Sequence, residues 1–189
     1  MGTDKGEGGP VAFGPDAIWA PWRLPYLESI HDDDLSTSSD NPSPPLGPSF
    51  LLDYWNAPER DAEHHVIVRT DHGMILLNKY PYANGHLLIA LGEARPALTD
   101  YEPSQRARLW ELVDRAAALA ELALEPQGLN LGINQGRAGG AGVPGHLHVH
   151  VIPRWAGDTN FITTVGGIRV IPSALEAMYG RYVRVLGHG

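Results

Sequence analysis

Apolar and polar positions alternate one for one across Gly145–Pro153, where Leu147, Val149 and Val151 are interleaved with His146, His148 and His150. A period of two is a strand signal and sends successive side chains to opposite faces. The pattern therefore predicts one apolar face that enters a core and one face that carries three imidazoles. Similar reading gives strands over His65–Arg69 and Gly73–Asn78, joined by Thr70-Asp71-His72, a buried strand over His86–Leu91, and another over Leu129–Asn134. Between them the period becomes helical. Leu109, Leu112, Val113, Ala116 and Ala120 fall on one face of a helix predicted over Thr99–Leu124, with Thr99 and Asp100 as candidate caps and Pro126 and Gly128 ending it. A short helix is expected from Ser173 to about Val185. Strand pairs, one main helix, more strands and a C-terminal helix predict an α+β domain on an antiparallel sheet.

The pattern fades toward the N-terminus. Residues 1–16 are rich in Gly, Pro and charge and read as a tail, and residues 31–48 read as a Pro/Ser-rich linker. Between them lies an aromatic segment, residues 18–27, with Trp19, Trp22 and Tyr26, suited to docking on the domain or on a partner subunit. The expected organisation is an N-terminal extension over 1–48 and an ordered domain over 49–189.

Composition narrows the function. The 189 residues are 43% hydrophobic, enough for an ordinary soluble core, and carry a formal net charge of −8. An acidic chain is unsuited to broad binding of nucleic-acid backbone, which needs a basic surface. It still allows a small nucleotide held by local groups. With no cysteine, disulfides, thiol nucleophiles and cysteine-based zinc sites are excluded. No secretory apolar run opens the chain, and no stretch approaches the roughly 20 apolar residues that span a bilayer. The expected location is the cytoplasm, with no membrane partner.

Three imidazoles on one strand face are hard to explain as packing, since each has two polar nitrogens and titrates near neutrality. Immediately upstream runs Asn134-Gln135-Gly136-Arg137-Ala138-Gly139-Gly140-Ala141-Gly142. Glycines there permit close backbone approach, and successive N–H groups can form an anion-binding nest. With Arg137 and Arg154 flanking the histidine strand, the combination suggests phosphate held over an imidazole. A metal-dependent hydrolase is the alternative, because alternating histidines can ligate zinc. It lacks a nearby carboxylate: no Asp or Glu follows His150 until Asp158.

The run His146-Leu147-His148-Val149-His150-Val151-Ile152 resembles the signature of the histidine triad (HIT) family of nucleotide hydrolases and transferases. A second element of that family is present over Asn78–Leu87 as NKYPYANGHL. The two motifs in this order cover roughly residues 49–160. Trp19–Tyr26 and Pro153–Ile162 extend the likeness toward the bacterial branch resembling diadenosine tetraphosphate phosphorylases.

The resemblance implies a HIT-like antiparallel sheet and a nucleotidyl transferase or hydrolase acting on a diadenosine polyphosphate, with phosphate or water as acceptor. His148 would be the nucleophile toward the α-phosphorus, since neutral imidazole attacks near pH 7. His150 and His86 would support it, and His146 would help with orientation or the leaving group. Asn78 would meet ribose hydroxyls and Leu76 the base. Asn134, Arg137, Gly139, Gly140 and Gly142 would lie on the phosphate side. No cofactor or metal is implied, and a homodimer or higher homo-oligomer is expected. Two departures stand out. Ser49-Phe50-Leu51-Leu52 replaces the Cys-x-x-Cys pair that holds zinc in many relatives, and Ala141-Gly142-Val143 lacks their polar leaving-group contact. A non-catalytic nucleotide-binding or signalling module is therefore a further alternative.

Overall fold

Strands β1 (Val66–Arg69), β2 (Gly73–Leu77), β3 (Leu87–Leu91), β4 (Gly128–Ile133) and β5 (His148–Arg154) form one antiparallel sheet in the order β1-β2-β3-β5-β4. They belong to a computed structural model that describes residues 49–158, 171 and 173–187. The expected extension over 1–48, its aromatic segment and residues 159–162 lie outside the described residues. The α+β antiparallel architecture is as the sequence predicts.

Register decides what each face carries. Leu87 opposes Val151 and Ile89 opposes Val149, while Leu88 opposes His150 and Ala90 opposes His148. The first set joins Ile75, Leu77 and Leu147 in the main core. Helix α2 (Pro103–Leu124) covers that face with Leu109, Leu112, Val113, Ala116, Leu119 and Ala120, and helix α3 (Leu175–Leu186) adds Met178 and Tyr182. The histidine face has its own smaller core of Val66, Met74, Leu76, Leu88 and Ala90 beneath Leu51.

Leu51 belongs to helix α1 (Phe50–Trp55), which the sequence reading missed. At six residues α1 is too short for its periodicity to register, and an isolated helix of that length is unstable in water. It forms because Ser49 caps it, accepting from the Leu52 N–H at 3.2 Å, and because tertiary contacts hold its far end. The Arg69 guanidinium donates to the carbonyls of Tyr54 and Trp55 and to the Asp61 carboxylate, and lies 5.1 Å from the Trp55 ring centre.

Several expected boundaries shift, each for a local reason. His65 has φ of 55°, a left-handed conformation incompatible with a strand, so β1 starts at Val66. Asn78, His86 and Asn134 sit just beyond the ends of β2, β3 and β4. The histidine strand starts at His148 because the His146 N–H turns back to the Val143 carbonyl and the Leu147 N–H goes to Arg95. Thr99 and Asp100 fall in a separate 3₁₀ turn, Leu98–Asp100, and do not cap the long helix. Pro103 holds Glu102 extended, so α2 begins there, with the Glu102 N–H donating to Gln105 Oε1 at 2.9 Å.

Candidate active site

Four histidines are buried side by side, and fixed main-chain groups dictate which nitrogen of each carries hydrogen. The Tyr82 N–H donates to His86 Nδ1 at 3.1 Å, and the Asn78 side-chain amide donates to the same nitrogen at 3.2 Å. Asn78 is itself oriented, because its Oδ1 accepts from the Tyr80 N–H. His86 Nδ1 is therefore a lone pair and its hydrogen is on Nε2, which lies 2.9 Å from His150 Nδ1. His150 accepts there, so its own hydrogen is on Nε2. That nitrogen faces the Asn134 side-chain amide, 3.4 Å away through Nδ2. An N–H facing an NH₂ is no bond; turning the amide to present Oδ1 supplies an acceptor.

His148 is set differently. Its Nδ1 lies 2.9 Å from the His146 carbonyl, which can only accept, so Nδ1 carries hydrogen and Nε2 holds the lone pair. Its ring lies edge-on to His150, with centroids 5.0 Å apart. Burial pushes the His148 imidazole below its ordinary value near 6.5, and burial together with His148 pushes His150 down to about 4. Both are neutral at pH 7. A buried neutral imidazole with a lone pair beside a second imidazole that presents an N–H has the chemistry to attack an electrophile next to a hydrogen-bond donor.

His146 does not share this task. Its Nε2 donates to the Leu91 carbonyl at 2.7 Å, so its Nδ1 accepts from the Ser49 hydroxyl at 2.9 Å. Both ring nitrogens are engaged, and the expected leaving-group contact by this ring is not available. His146 orients His148 through its carbonyl. Ser49, at the position expected only to lack a zinc-binding cysteine, ties α1 to the triad; nothing in its sequence context signalled that bond. Among the described residues no group of three or more His, Asp or Glu side chains is placed to hold a metal ion.

The other expected residues divide. Leu76, read as a base contact, is 1% exposed and packed under α1, because β2 turns it into the smaller core. Asn78, expected at ribose, bonds His86 and fixes it, and Asn134, expected on the phosphate side, faces His150. The glycine loop turns tightly. Gly140 has φ of 85°, and a Cβ on Gly139 would stand 2.3 Å from the Gln135 carbonyl oxygen. The Gly140 and Ala141 N–H groups donate to the Arg137 and Gly136 carbonyls, so they close the loop and do not serve as an anion nest. Gly142 and Arg137 are exposed. Arg154 is committed elsewhere, bidentate to Asp158 and bonded to Asn130.

Sequence reading also missed Tyr182. From α3 its hydroxyl donates to the Gly85 carbonyl at 2.7 Å, next to His86. Gly85 has φ of 74°, and a Cβ there would meet Leu124 Cδ1 at 2.3 Å, so the turn that delivers His86 needs glycine.

The HIT domain family model matches residues 59–157. An AP-4-A phosphorylase of Mycobacterium tuberculosis is 35% identical over 159 residues, covering 84% of this chain and 78% of the relative. A bis(5'-nucleosyl)-tetraphosphatase (asymmetrical) of Schizosaccharomyces pombe is 34% identical over 93 residues, 49% of this chain and 50% of that one. Among solved structures, a zinc-bound histidine triad family protein from Mycobacterium smegmatis superposes with a TM-score of 0.59 at 26% identity, covering 75% of this chain and 96% of that one.

Proposed function

The chain belongs to the HIT domain family, and from that premise we propose that it cleaves diadenosine tetraphosphate through a nucleotidyl–His148 intermediate. The observation that carries the proposal is the lone pair on His148 Nε2, held by the Nδ1–H bond to the His146 carbonyl. Nε2 attacks the α-phosphorus, the bond from that phosphorus to its bridging oxygen breaks, and the oxygen leaves with the remaining three phosphates and adenosine as ATP. A phosphate oxygen then attacks the same phosphorus, the P–N bond breaks, and ADP is released. Water in place of phosphate gives AMP. The relation to the M. tuberculosis phosphorylase favours phosphate as acceptor.

His150 supports both steps with its Nε2–H, which donates to oxygen as negative charge develops there, while His86 holds the tautomer that makes the donation possible. Asn78 and Asn134 lie on either side of the histidines in sheet order, which supports ribose at Asn78 and phosphates at Asn134. Single-turnover incubation with labelled dinucleotide, with and without phosphate, tests the reading. ADP formed only with phosphate supports phosphorolysis, AMP formed without it supports hydrolysis, and tight binding with neither product would mean a non-catalytic module.

The proposal includes a homodimer joined through β4, the edge strand opposite β1. Its residues are largely exposed, Leu131 by 47%, and an unpaired edge of this length is normally covered. Light scattering giving twice 20.5 kDa is the expected result, and a monomer at micromolar concentration would contradict it.

A further inference from the structure

On the histidine face of the sheet, between β5 and β4, lies a small groove of about 130 Å³. Its walls and floor include Tyr82, Asn130, Gly132, Asn134, His150 and Ile152. Register explains the set: Gly132 opposes His150 and Asn130 opposes Ile152, so these side chains share the face that carries the triad. Resting on the diadenosine tetraphosphate reading above, we propose that this groove is the subsite for the second nucleobase, the one on the departing nucleotide.

Four features select that occupant. None of the lining side chains is charged, so the groove suits a neutral planar group better than a phosphate. Tyr82, 42% exposed, supplies the aromatic surface, and its ring is backed by the buried His150 ring, 5.6 Å away at 22°. Base–aromatic stacking tolerates any base and contributes on the order of tenfold or more in affinity. The Asn130 and Asn134 amides border the groove with hydrogen-bonding groups for a base edge. The Asn130 amide oxygen is fixed by Arg154 at 2.7 Å, which orients its NH₂.

The floor is open where it must be. Gly132 stands between the two asparagines, and a Cβ built on it meets nothing within 4 Å. The groove is also in the right place. In sheet order the histidines of β5 stand between the Asn78 side and β4, so a substrate with its reacting adenosine toward Asn78 directs its other end toward β4. Asn134 is common to the groove and to the start of the glycine loop, and a Cβ on Gly140 would lie 4.0 Å from its Nδ2. A polyphosphate crossing that loop emerges at the groove.

The test compares diadenosine tetraphosphate with an adenosine–tetraphosphate–ribose conjugate, which keeps the reacting adenosine, the phosphates and the charge and lacks only the second base. With the wild-type chain, KM for the conjugate should be about tenfold higher. Gly132→Val fills the floor at a strand position that accepts a β-branched side chain. It should raise KM for the dinucleotide about tenfold and leave kcat/KM for the conjugate within about threefold, erasing the difference between the two. Equal wild-type KM values for both compounds would overturn the subsite, and that comparison needs no variant to fold. Equal losses on both compounds in a Gly132→Val protein with wild-type melting and oligomeric state would overturn it too. If neither compound is turned over by the wild-type chain, it is the catalytic reading that fails.

Discussion

His86 and His150 are joined nitrogen to nitrogen across β3 and β5, the Nε2–H of the first donating to Nδ1 of the second at 2.9 Å. Because Tyr82 and Asn78 hold the far nitrogen of His86, the direction of this bond is imposed by the segment Asn78–Gly85 and not by the reaction. The two histidines therefore act in series. His150→Ala should lower kcat roughly 10- to 1000-fold, on the scale of general acid–base contributions. His86→Ala should cost a similar factor, and the double variant little more than either single. Losses that multiply would show that the two rings act independently.

Tyr182→Phe isolates the bond from α3 to the Gly85 carbonyl while keeping the ring in the core. A buried carbonyl left without its donor costs about 1–3 kcal/mol, so the unfolding free energy should fall by that amount, read as a lower denaturation midpoint at unchanged m-value. If His86 is held through this turn, kcat should drop severalfold with KM unchanged. An unaltered kcat would confine Tyr182 to stability.

Ser49→Ala should remove both the α1 cap and the donor to His146 Nδ1, at a cost of about 1–2 kcal/mol in denaturant unfolding. Activity should survive, because His146 orients His148 through its main-chain carbonyl and not through its ring. A loss of kcat beyond about tenfold in a folded Ser49→Ala protein would place the His146 ring in the chemistry after all.

The pH dependence has a defined sign. Burial lowers the imidazoles of His146 and His148, and burial with His148 takes His150 down to about 4. Above about pH 7.5 these groups are neutral in both folded and unfolded chains, so they contribute no slope. As pH falls below that, the unfolded chain binds protons that the folded one does not, and stability is lost progressively toward pH 4. His150 alone accounts for about 3 kcal/mol across that window. The acid limb of kcat/KM should likewise lie below 6.5, because a neutral His148 is needed for attack. A limb at or above 6.5, measured over a range where the protein stays folded, would contradict the buried neutral assignment.

Much of this architecture was legible in the chain. The alternation of Leu147, Val149 and Val151 with histidines gave the two faces of β5, and the spacing of Leu109 to Ala120 gave the buried face of α2, because both patterns report which side is removed from water. What escaped was set by partners distant in sequence. Helix α1 exists through Ser49, Arg69 and the core under Leu51. Leu76 looked suited to a base pocket, yet that core takes it. The separation of His146 from the other two imidazoles also lay beyond periodicity: alternation gives all three the same face, and only Ser49, 97 positions away, reveals where the first one goes. The glycine loop read as an anion nest, but two of its N–H groups close the turn.

The central claim is that His148 Nε2 becomes bonded to the α-phosphorus. Mass measurement of the intact protein, denatured in base after mixing with diadenosine tetraphosphate in the absence of phosphate, tests it most directly, since phosphoramidates survive alkali. The expected result is one adenylyl group per active chain, located on His148 by peptide mapping, discharged as ADP when phosphate is added before denaturation, and absent from His148→Ala. A His148→Ala protein that turns the dinucleotide over at near the wild-type rate would contradict the account.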